Sequence, residues 1–590
     1  MTGVRSGVAK RAGFVTLALA MLAGLTGCVG LPDDGPVVES QIAGGGTATE
    51  AMAINPVGPQ PGQSPAEVVK GFLDAMQATP IRTDVARQFL STVSQASWDP
   101  TATITYIDAS LPQTAGGSSV VVTLSGADRI DPRGAWQGAL RPAQSELAFT
   151  VVRDGEDFRI SQPPDALIVP QTWFVQRFRQ VSLYFFEPTG QVLVPDPVFV
   201  PRGADLASIL VQRLIAGPAT PLRGYVRNLL DLGVDSSSLE VPVSSAGVAT
   251  IDLVGEDLEV PDDVDRDLLL AQLTWTLRQD TSVDAVRVRF NGTDLTAGSG
   301  GVNVSTGGRF APYDADASTL LFGLDEGRLV AGGAQNLAPV SGPFGQGDLA
   351  LRTITPDLGG SRAAGVTEDG TAMFVGVVRT SDVDAAQLTQ VVAGGTSLLP
   401  PSWDFSGRLW IVDRRADGAV VSYVNRETTS ELTIPGVSGE DVKSFLVSRD
   451  GSRLVAVIRG RSEDVVVVSR LLQNSDGRVV GALEAQQVDV QGGRGLRIRD
   501  MTWLSPTSIV VLHPIGPRLF QVRSASVDGA PSGLDDLSVT LDGKITGLAG
   551  SPDPRLDTYA ISEEALIYLV GPGGGEVAIR PGLTSLGYVG

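Results

Sequence analysis

The feature that most constrains this chain is a repeat within residues 302–590. Each copy consists of a short apolar strand, a turn rich in Asp and Gly, and a second strand rich in β-branched residues. Clear copies begin at Val366, Trp403 and Leu446, weaker copies begin at Trp503 and Leu548, and an opening copy is expected over 313–322. The spacing is near the ~40–50 residues of a four-stranded propeller blade. We therefore predict an all-β propeller of about six blades over 302–590, with a β-sandwich as the alternative.

The first residues have the features of an export signal. A basic region made of Arg5, Lys10 and Arg11 precedes an uncharged apolar stretch over 12–27. That stretch is shorter than the ~20 residues that a membrane-spanning helix needs, and small residues crowd its end. We therefore predict that residues 1–27 are a lipoprotein signal peptide.

The residue that follows the signal is the only cysteine of the chain. The four residues that end at Cys28, Leu-Thr-Gly-Cys, resemble a lipobox, which directs diacylglycerol onto the thiol and cleavage just before it. An ordinary secretory signal that happens to contain a cysteine is the alternative. We predict that Cys28 becomes an N-palmitoyl, S-diacylglycerol cysteine, since two or more acyl chains give stable anchoring. Residues 28–62, rich in Pro, Gly and Ala, are predicted to form a flexible tether.

The charge and the hydropathy of the chain restrict where the protein can be located and which partners it can bind. The formal net charge of −21 becomes −24 once the three basic signal residues are removed. So acidic a chain disfavours nucleic acid and anionic headgroups as partners, because both select for basic patches. No later segment approaches the length of a membrane span. We therefore expect the mature protein to lie on the extracytoplasmic face of the cell membrane, held there by lipid.

The first folded region, residues 63–170, combines helices with strands. Ser64-Pro65 is a typical helix start, with a capping residue followed by Pro at the first helical position. Apolar residues follow at helical spacing, namely Val68, Val69, Phe72, Leu73 and Met76. A second short helix is expected near 85–90, and strand-like runs follow at 102–107, 119–124, 146–152 and 158–160. We predict an α+β domain, and the arrangement resembles the cone-shaped domains typified by nuclear transport factor 2 (NTF2-like).

Residues 179–298 carry a second pattern. Its parts are a strand from Arg179, a helix over 205–216 that ends in Ala-Gly217-Pro, a strand over 247–253, a helix over 264–278, and a strand from Ala285 that ends in Asn291-Gly292. Gly with Pro beyond it ends a helix, and Asn-Gly suits a hairpin turn. These pieces resemble a GerMN domain, a small α/β module of spore-germination and cell-envelope proteins.

A search for catalytic chemistry finds little. The only histidine, His513, follows an apolar strand directly, and we interpret it as a strand-end residue. A Ser-His-Asp triad or a multi-histidine metal site would need that residue, and its surroundings lack the spacing of either. The run from Gly571 to Glu576 is interpreted as a hairpin turn, because a dinucleotide loop needs a following helix. We predict no catalytic residue, no cofactor and no metal site, although carboxylates paired in three dimensions stay possible.

Acidic clusters are interpreted as structural. The run from Asp262 to Asp267 lacks the Gly and Glu of a calcium loop, and it precedes a helix whose N-terminus it should cap. Asp369, Asp404 and Asp450 in the repeats are expected to be turn residues.

The order of these parts resembles the LpqB family of actinobacterial lipoproteins. The resemblance covers essentially the whole mature chain, and depends on domain order and on the motifs between Arg179 and Gly292. It implies a partner, the extracytoplasmic domain of an MtrB-like sensor histidine kinase in the MtrA–MtrB two-component system, with effects on envelope homeostasis and division. Only Cys28 inherits a defined role from the family.

Three functions are weighed on this basis. An accessory protein would bind a sensor kinase, and a cell-wall ligand as a further partner, without turnover. An envelope protein that binds or hydrolyses cell-wall glycan is the alternative, disfavoured as an enzyme by the lack of a nucleophile motif. A solute-binding lipoprotein is disfavoured because the chain has no two-lobed α/β pattern. We expect the first.

Overall fold

The computed structural model describes residues 55–590, apart from short internal gaps. The gaps are 117, 204, 232–238, 256–259, 297–299, 348, 382–386, 491–492, 494, 532–536, 564, 569–574 and 580. The predicted signal peptide, Cys28 and most of the predicted tether therefore lie outside the described residues. Residues Ile54–Gly590 form one unit, and its three parts are described in chain order.

The first helix begins where the sequence predicts it. Ser64 and Glu67 form a reciprocal capping box, in which the Ser64 backbone N–H donates to the Glu67 carboxylate at 2.8 Å. The predicted apolar residues of this helix are all buried. The helices of this region are Pro65–Ala75, Asp84–Arg87 and Thr92–Ser97. Local capping and helical periodicity are therefore enough to explain this element.

Two sheets complete the N-terminal region. One contains, in spatial order, Trp136–Ala139, Asp128–Ile130, Thr103–Tyr106 and Leu167–Pro170, the last pair being parallel. The other contains Asp108–Ala109, Ser119–Ser125, Glu146–Asp154 and Asp157–Gln162, with Gln113–Thr114 also pairing Ser119–Ser125. The first helix packs its apolar face on this layer, where the ring of Phe72 lies 5.3 Å from Trp98 and 6.2 Å from Phe149. The result is the predicted α+β layer.

The second region is an α/β module. A long hairpin pairs the strands Phe178–Phe186 and Leu193–Pro201. The helices of this module are Gln171–Arg177, Leu206–Ala216 and Asp263–Leu277. Its other strands are Val248–Leu253, Ala285–Phe290, Thr293–Asp294 and Val302–Asn303. Both predicted turn signals are confirmed. Gly217 ends its helix with φ +81°, and Asn291-Gly292, with φ +45° and +82°, joins two antiparallel strands. Each local motif thus has the role that its residue types favour.

The described part of the third region forms six sheets arranged as propeller blades. Blade 1 contains Leu583–Gly587, Leu321–Asp325, Arg328–Gly332 and Ala338–Pro339; blade 2 contains Leu351–Pro356, Arg362–Thr367, Met373–Val377 and Thr389–Val392; blade 3 contains Ser402–Trp403, Leu409–Arg415, Gly418–Asn425 and Thr428–Glu431. Blade 4 contains Val442–Val447, Arg453–Arg459, Asp464–Gln473, Val479–Ala482 and Gln486–Val488; blade 5 contains Asp500–Ser505, Ser508–Pro514, Leu519–Ser526 and Ser538–Asp542; blade 6 contains Ile545–Ala549, Tyr559–Ser562, Ala565–Tyr568 and Glu576–Ala578. The predicted propeller and its blade number are confirmed.

Blade 1 is completed by the end of the chain. Its innermost strand is Leu583–Gly587, which pairs antiparallel with Leu321–Asp325 at the start of the propeller. The innermost strands of the six blades are neighbours in sequence order around the ring, and that of blade 6 lies beside the closing strand. Closing the ring in this way removes the exposed edge that an open row of blades would leave.

Four of the six predicted copies of the repeat are in register and two are not. The opening copy expected over 313–322 contains no strand pair, because Leu321–Asp325 takes its inner neighbour from Leu583–Gly587. The copies that begin at Trp403, Leu446, Trp503 and Leu548 each cover the first two strands of a blade. The copy at Val366 instead joins the second and third strands of blade 2, and the equivalent turn lies earlier, at Asp357–Ser361. The error arose because both turns of blade 2 place Asp and Gly between apolar strands. The predicted hairpin at 571–576 joins Ala565–Tyr568 to Glu576–Ala578, which are antiparallel, but residues 569–574 themselves lie outside the described residues.

No helix in the described part of the chain is both long enough and apolar enough to cross a membrane.

Ring closure can be tested within the closing strand. The side chain of Leu586 is buried there, whereas Thr584 in the same strand is exposed. Leu586→Asp should lower the free energy of unfolding by about 3 kcal/mol or more, because it would bury an unpaired carboxylate. Thr584→Asp should change it by less than about 0.5 kcal/mol. Urea unfolding followed by tryptophan fluorescence measures both, and equal effects would contradict the closing role.

Candidate functional site

The predicted lipidation site, Cys28, lies outside the described residues, and its modification stays a prediction. His513 is at the end of the strand Ser508–Pro514, as predicted, and only 4% of it is exposed. Burial, followed by the nearby charge of Arg523, lowers the pKa of His513. Its Nε2 atom is buried and has no hydrogen-bond partner in the described part of the chain. These features fit the predicted strand-end residue, packed against its neighbours.

The acidic run at 262–267 caps a helix, as predicted. Asp262 accepts a hydrogen bond from the backbone N–H of Asp265 at 2.9 Å. The carboxylate of Asp265 in turn lies 2.5 Å from Arg227, and that of Asp267 lies 3.3 Å from Arg309. The carboxylates therefore act on the helix N-terminus and on nearby guanidiniums.

Asp369, Asp404 and Asp450 are turn residues, as predicted. Each accepts a hydrogen bond from the backbone N–H two positions further on, at 3.0, 3.0 and 2.8 Å. Among the residues that the structure describes, no group of three or more His, Cys, Asp or Glu side chains is placed to hold a metal ion.

One turn of blade 4, Ser448–Arg453, connects distant parts of the chain. Arg449 in this turn is 3% exposed. Its Nη1 donates to the carbonyl of Tyr313 at 2.8 Å, and its Nη2 donates to the carbonyl of Val589 at 2.9 Å. Burial lowers the pKa of Arg449 to about 10, which still leaves it charged at neutral pH. One guanidinium therefore fixes both the segment that enters the propeller and the end of the chain.

The other arginine of the turn faces the α/β module. Arg453 is 1% exposed, and its Nη2 donates to the carbonyl of Pro195 in the long hairpin. Beside it, Arg470 pairs with Asp196 of the same hairpin at 2.6 Å. Burial, followed by repulsion from Arg470, lowers the pKa of Arg453 to about 9. Because a buried cation without partners is very costly, the hairpin and the propeller need each other here.

The N-terminal region contacts the same hairpin through aromatic residues. The ring of Phe199 in the hairpin lies 6.0 Å from Trp136 of the N-terminal region and 5.0 Å from Phe174 of the helix Gln171–Arg177, which links the two regions. The Phe199 backbone N–H donates to the carbonyl of Gly134 at 2.7 Å, and its carbonyl accepts from Arg213 at 2.5 Å. The long hairpin is therefore the element that holds all three regions together.

A cleft of about 830 Å³ lies between the N-terminal region and blades 4 and 5. Its lining includes Asp128 and Trp136 on one side and Asp489 and Asp528 on the other. Burial, with the charge of Asp489 adding to it, raises the pKa of Asp128 to about 6. Burial also raises the pKa of Asp528, which accepts a hydrogen bond from Gln180 at 2.8 Å. The cleft is thus acidic, and one of its carboxyl groups titrates near neutrality.

Comparison with known families agrees with this architecture. The model of the lipoprotein LpqB N-terminal domain matches residues 58–175, and that of the lipoprotein LpqB beta-propeller domain matches 327–567. The model named Germane, described as sporulation and spore germination, matches 182–296 between them. The chain belongs to the LpqB lipoprotein family. The predicted family and the three-domain architecture are confirmed.

Similarity to LpqB proteins extends over nearly the whole length. The lipoprotein LpqB of Streptomyces coelicolor is 26% identical, and the match covers 96% of each chain. That of Mycobacterium tuberculosis is 27% identical with the same coverage of both. Among solved structures, TolB from Acinetobacter baumannii is similar over 53% of this chain and 84% of its own, with 11% identity and a TM-score of 0.33.

The two buried arginines, Arg449 and Arg453, were not predicted from the sequence. Their local signal is visible in the blade 4 repeat, where Asp450-Gly451 is flanked by Arg449 and Arg453. Arginines on both sides of a tight turn would ordinarily be interpreted as exposed. Their partners are backbone carbonyls of residues far away in the chain. Every residue has such a carbonyl, so the sequence does not show which ones accept from these arginines.

Arg453 offers a direct test of the join between hairpin and propeller. Arg453→Met should lower the free energy of unfolding by about 3 kcal/mol, because the Pro195 carbonyl would lose its buried donor and Asp450 would lose the cation that lies 3.8 Å from its carboxylate. The matched control is Arg459→Met at the other end of the same strand, where the side chain is 49% exposed. That variant should cost less than about 1 kcal/mol. Calorimetry should show a separate, earlier transition for Arg453→Met only; a single unshifted transition would contradict the role given to Arg453.

Asp128 should make stability depend on pH. Its pKa is higher in the folded protein than the ordinary value of 3.8, so its contribution is present at low pH and is lost as pH rises through about 6. At pH 7.5 Asp128→Asn should therefore stabilise the protein, by about 1 kcal/mol after solvent screening is allowed for. At pH 4 the variant and the wild type should be similar. Glu156→Gln, in an exposed turn, is the control; a gain of equal size at both pH values for Asp128→Asn would contradict the assignment.

Proposed function

We propose that the protein is a membrane-anchored accessory protein that regulates an MtrB-like sensor kinase by binding the kinase's extracytoplasmic domain. In this role it binds without catalysis and influences envelope homeostasis and division. The observation that carries the proposal is the joining of three domains through the long hairpin, by Arg453 toward the propeller and by Phe199 toward the N-terminal region. A wide surface whose parts are held together suits recognition of a large protein partner, because little ordering is required on binding.

Membership of the LpqB family supports the other parts of the proposal. Its members are named lipoproteins, and an acyl-anchored Cys28 would hold the unit at the extracytoplasmic face. A sensor kinase presents its extracytoplasmic domain at the same face. Anchoring then raises the effective concentration of each partner near the other.

Co-isolation from membranes tests the proposal. A tagged wild-type protein should retain the MtrB-like kinase after mild cross-linking. Cys28→Ala should lose the lipid, and with it membrane retention and most of the kinase contact in cells. In the matched control, a single spanning helix replaces residues 1–28 of the same chain. This anchor without lipid should restore the contact.

Two results would count against the proposal. If the wild-type protein retained no sensor kinase, the proposed partner would be wrong. If a Cys28→Ala protein that fractionates away from the membrane complemented fully, membrane anchoring would not be required for function.

Glycan hydrolysis is a second candidate with one observation in its favour. Asp128 and Asp489 line the same cleft, and the charge of Asp489 adds to the burial that raises the pKa of Asp128 to about 6. Two carboxyl groups in one cleft, one of them with a raised pKa, are the arrangement that glycosidases use. Release of wall fragments by the wild-type protein, lost in Asp128→Asn, would establish this candidate in place of the first.

A further inference from the structure

Two open sheet edges border the acidic cleft. The strand Trp136–Ala139 is the last of its sheet, and its one partner among the described strands is Asp128–Ile130. Across the cleft, Gln486–Val488 lies on the outer side of blade 4 and pairs with Asp464–Gln473. All four residues of the first strand and two of the second line the cleft. Both strands therefore present one edge of backbone N–H and C=O groups that can pair with a further strand.

The register of the first strand shows which of its groups face outward. Ala139 lies opposite Asp128, and the adjoining ladder hydrogen bond runs from the Leu140 N–H to the Ala127 carbonyl at 2.8 Å. Asp128 and Ala139 are therefore a non-hydrogen-bonded pair, in which the backbone groups of each residue point away from the other strand. The N–H and C=O of Ala139, which is exposed, thus face the open edge.

The size of the cleft suits an extended segment of chain. The strand Trp136–Ala139 has four residues, which span about 13 Å at ~3.3 Å per residue. The volume of about 830 Å³ lies within the ~300–1,000 Å³ that is usual for ligand-binding clefts. Addition of a strand to an open edge is a common way to recognise an extended peptide, because main-chain hydrogen bonds supply affinity and side chains supply specificity.

The charge of the cleft restricts which segment can bind. Its described lining holds three carboxylates and no Lys or Arg. A smaller cavity shares part of this lining and adds Glu484 and Asp196. The cation described there, Arg470, is paired with Asp196 at 2.6 Å. The three carboxylates of the cleft belong to Asp128, Asp489 and Asp528. Such a lining attracts cations and repels acidic segments.

The pKa of Asp128 reflects these surroundings. Burial raises the pKa to about 6 and the charge of Asp489 adds to the effect, whereas a neighbouring Lys or Arg would lower it. Asp528 is surrounded differently, since burial raises its pKa while the charge of Arg453 opposes the rise. Asp128 is therefore ionised at neutral pH at a cost in free energy, and a cation bound beside it would reduce that cost.

The cleft also offers apolar contact. Ile107 belongs to its lining and is nevertheless 70% exposed. The side chain of Ile107 lies on Gly126, where a Cβ would come 2.6 Å from its Cδ1 atom. Leu140, which is half-buried, belongs to the same lining. An apolar side chain of a bound segment would remove part of Ile107 from water, which is favourable.

We propose that this cleft binds an extended basic segment of a partner protein by strand addition. Backbone groups of the segment pair with the edge of Trp136–Ala139, its Lys or Arg side chains approach Asp128 and Asp489, and its apolar side chains contact Ile107. A cationic glycan fits less well, because it cannot continue the ladder of backbone hydrogen bonds. The inference does not depend on the proposed kinase contact, and it gives the cleft a binding role in place of hydrolysis.

Calorimetric titration of the full-length protein in detergent tests the inference. The probe is a capped octapeptide of alternating Lys and Val. Its counterparts are the same peptide N-methylated at every second residue, in both registers, an octapeptide of Glu and Val, and hexaglucosamine as a cationic glycan. The Lys-Val peptide should bind most tightly and weaken as salt is added, since exposed charge pairs are screened. N-methylation in one register should weaken binding about tenfold, because it keeps the charge and removes the donors that pair with the edge.

Variants of the protein locate the bound peptide. Asp128→Asn should weaken binding about fivefold, the value of one partly exposed charge pair. This variant is expected to be more stable than the wild type at pH 7.5, so loss of binding there cannot be ascribed to unfolding. Glu156→Gln is the matched control, with the same change of charge beyond the far end of Glu146–Asp154, whose near end adjoins Ser145 in the cleft. It should bind the peptide like the wild type.

Five results would overturn the inference. No binding of the Lys-Val peptide at millimolar concentration would remove the ligand, and equal binding of the Glu-Val peptide would remove the role of the acids. Unweakened binding of both N-methylated peptides would exclude strand addition. Tighter binding of hexaglucosamine would make the cleft a glycan site. Affinity unchanged in Asp128→Asn would place the peptide elsewhere.

Discussion

The architecture depends on two buried guanidiniums that extend from a single turn. Arg449 and Arg453 bracket the Asp450-Gly451 turn of blade 4. Arg453 donates to the Pro195 carbonyl of the long hairpin, and Arg449 donates to the carbonyls of Tyr313 and Val589 at the two ends of the propeller. A carbonyl satisfies a buried cation only weakly, and both arginines are therefore supported by neighbouring acids, among them Asp450 and Asp553. Because a buried charge without its partners costs several kcal/mol, separation of the domains would be penalised strongly. One short turn thus closes the propeller and joins it to the α/β module, while Phe199 of the long hairpin joins that module to the N-terminal region.

Structural features that depend only on residues close together in the chain are predicted well from the sequence. The Ser64 cap, the Gly217 helix end and the Asn291-Gly292 turn depend on residues a few positions apart, and all three are confirmed. The propeller follows from the repeat, since a blade cannot bury both its faces alone. The register at Val366 and the closing strand at Leu583–Gly587 depend on pairing between distant segments, about which a single sequence says little.

The candidate sites differ in the same way. Lipidation at Cys28 is a property of four adjacent residues and can be predicted without a fold. The acidic cleft exists only because the N-terminal region lies beside blades 4 and 5, so Asp128, Asp489 and Asp528 come together from distant parts of the chain and no stretch of sequence predicts the cleft.

Ring closure by the last strand has a consequence for how the protein is made. While the chain is synthesised, Leu321–Asp325 has no inner neighbour until Leu583–Gly587 has been made. The ring therefore cannot close before that strand is available, and pairing of such distant segments is slow in any case. Until then Leu321–Asp325 presents an unpaired strand edge, which is the feature most prone to pair with another chain. The stage of folding before ring closure is thus the one at which the protein is most exposed to aggregation.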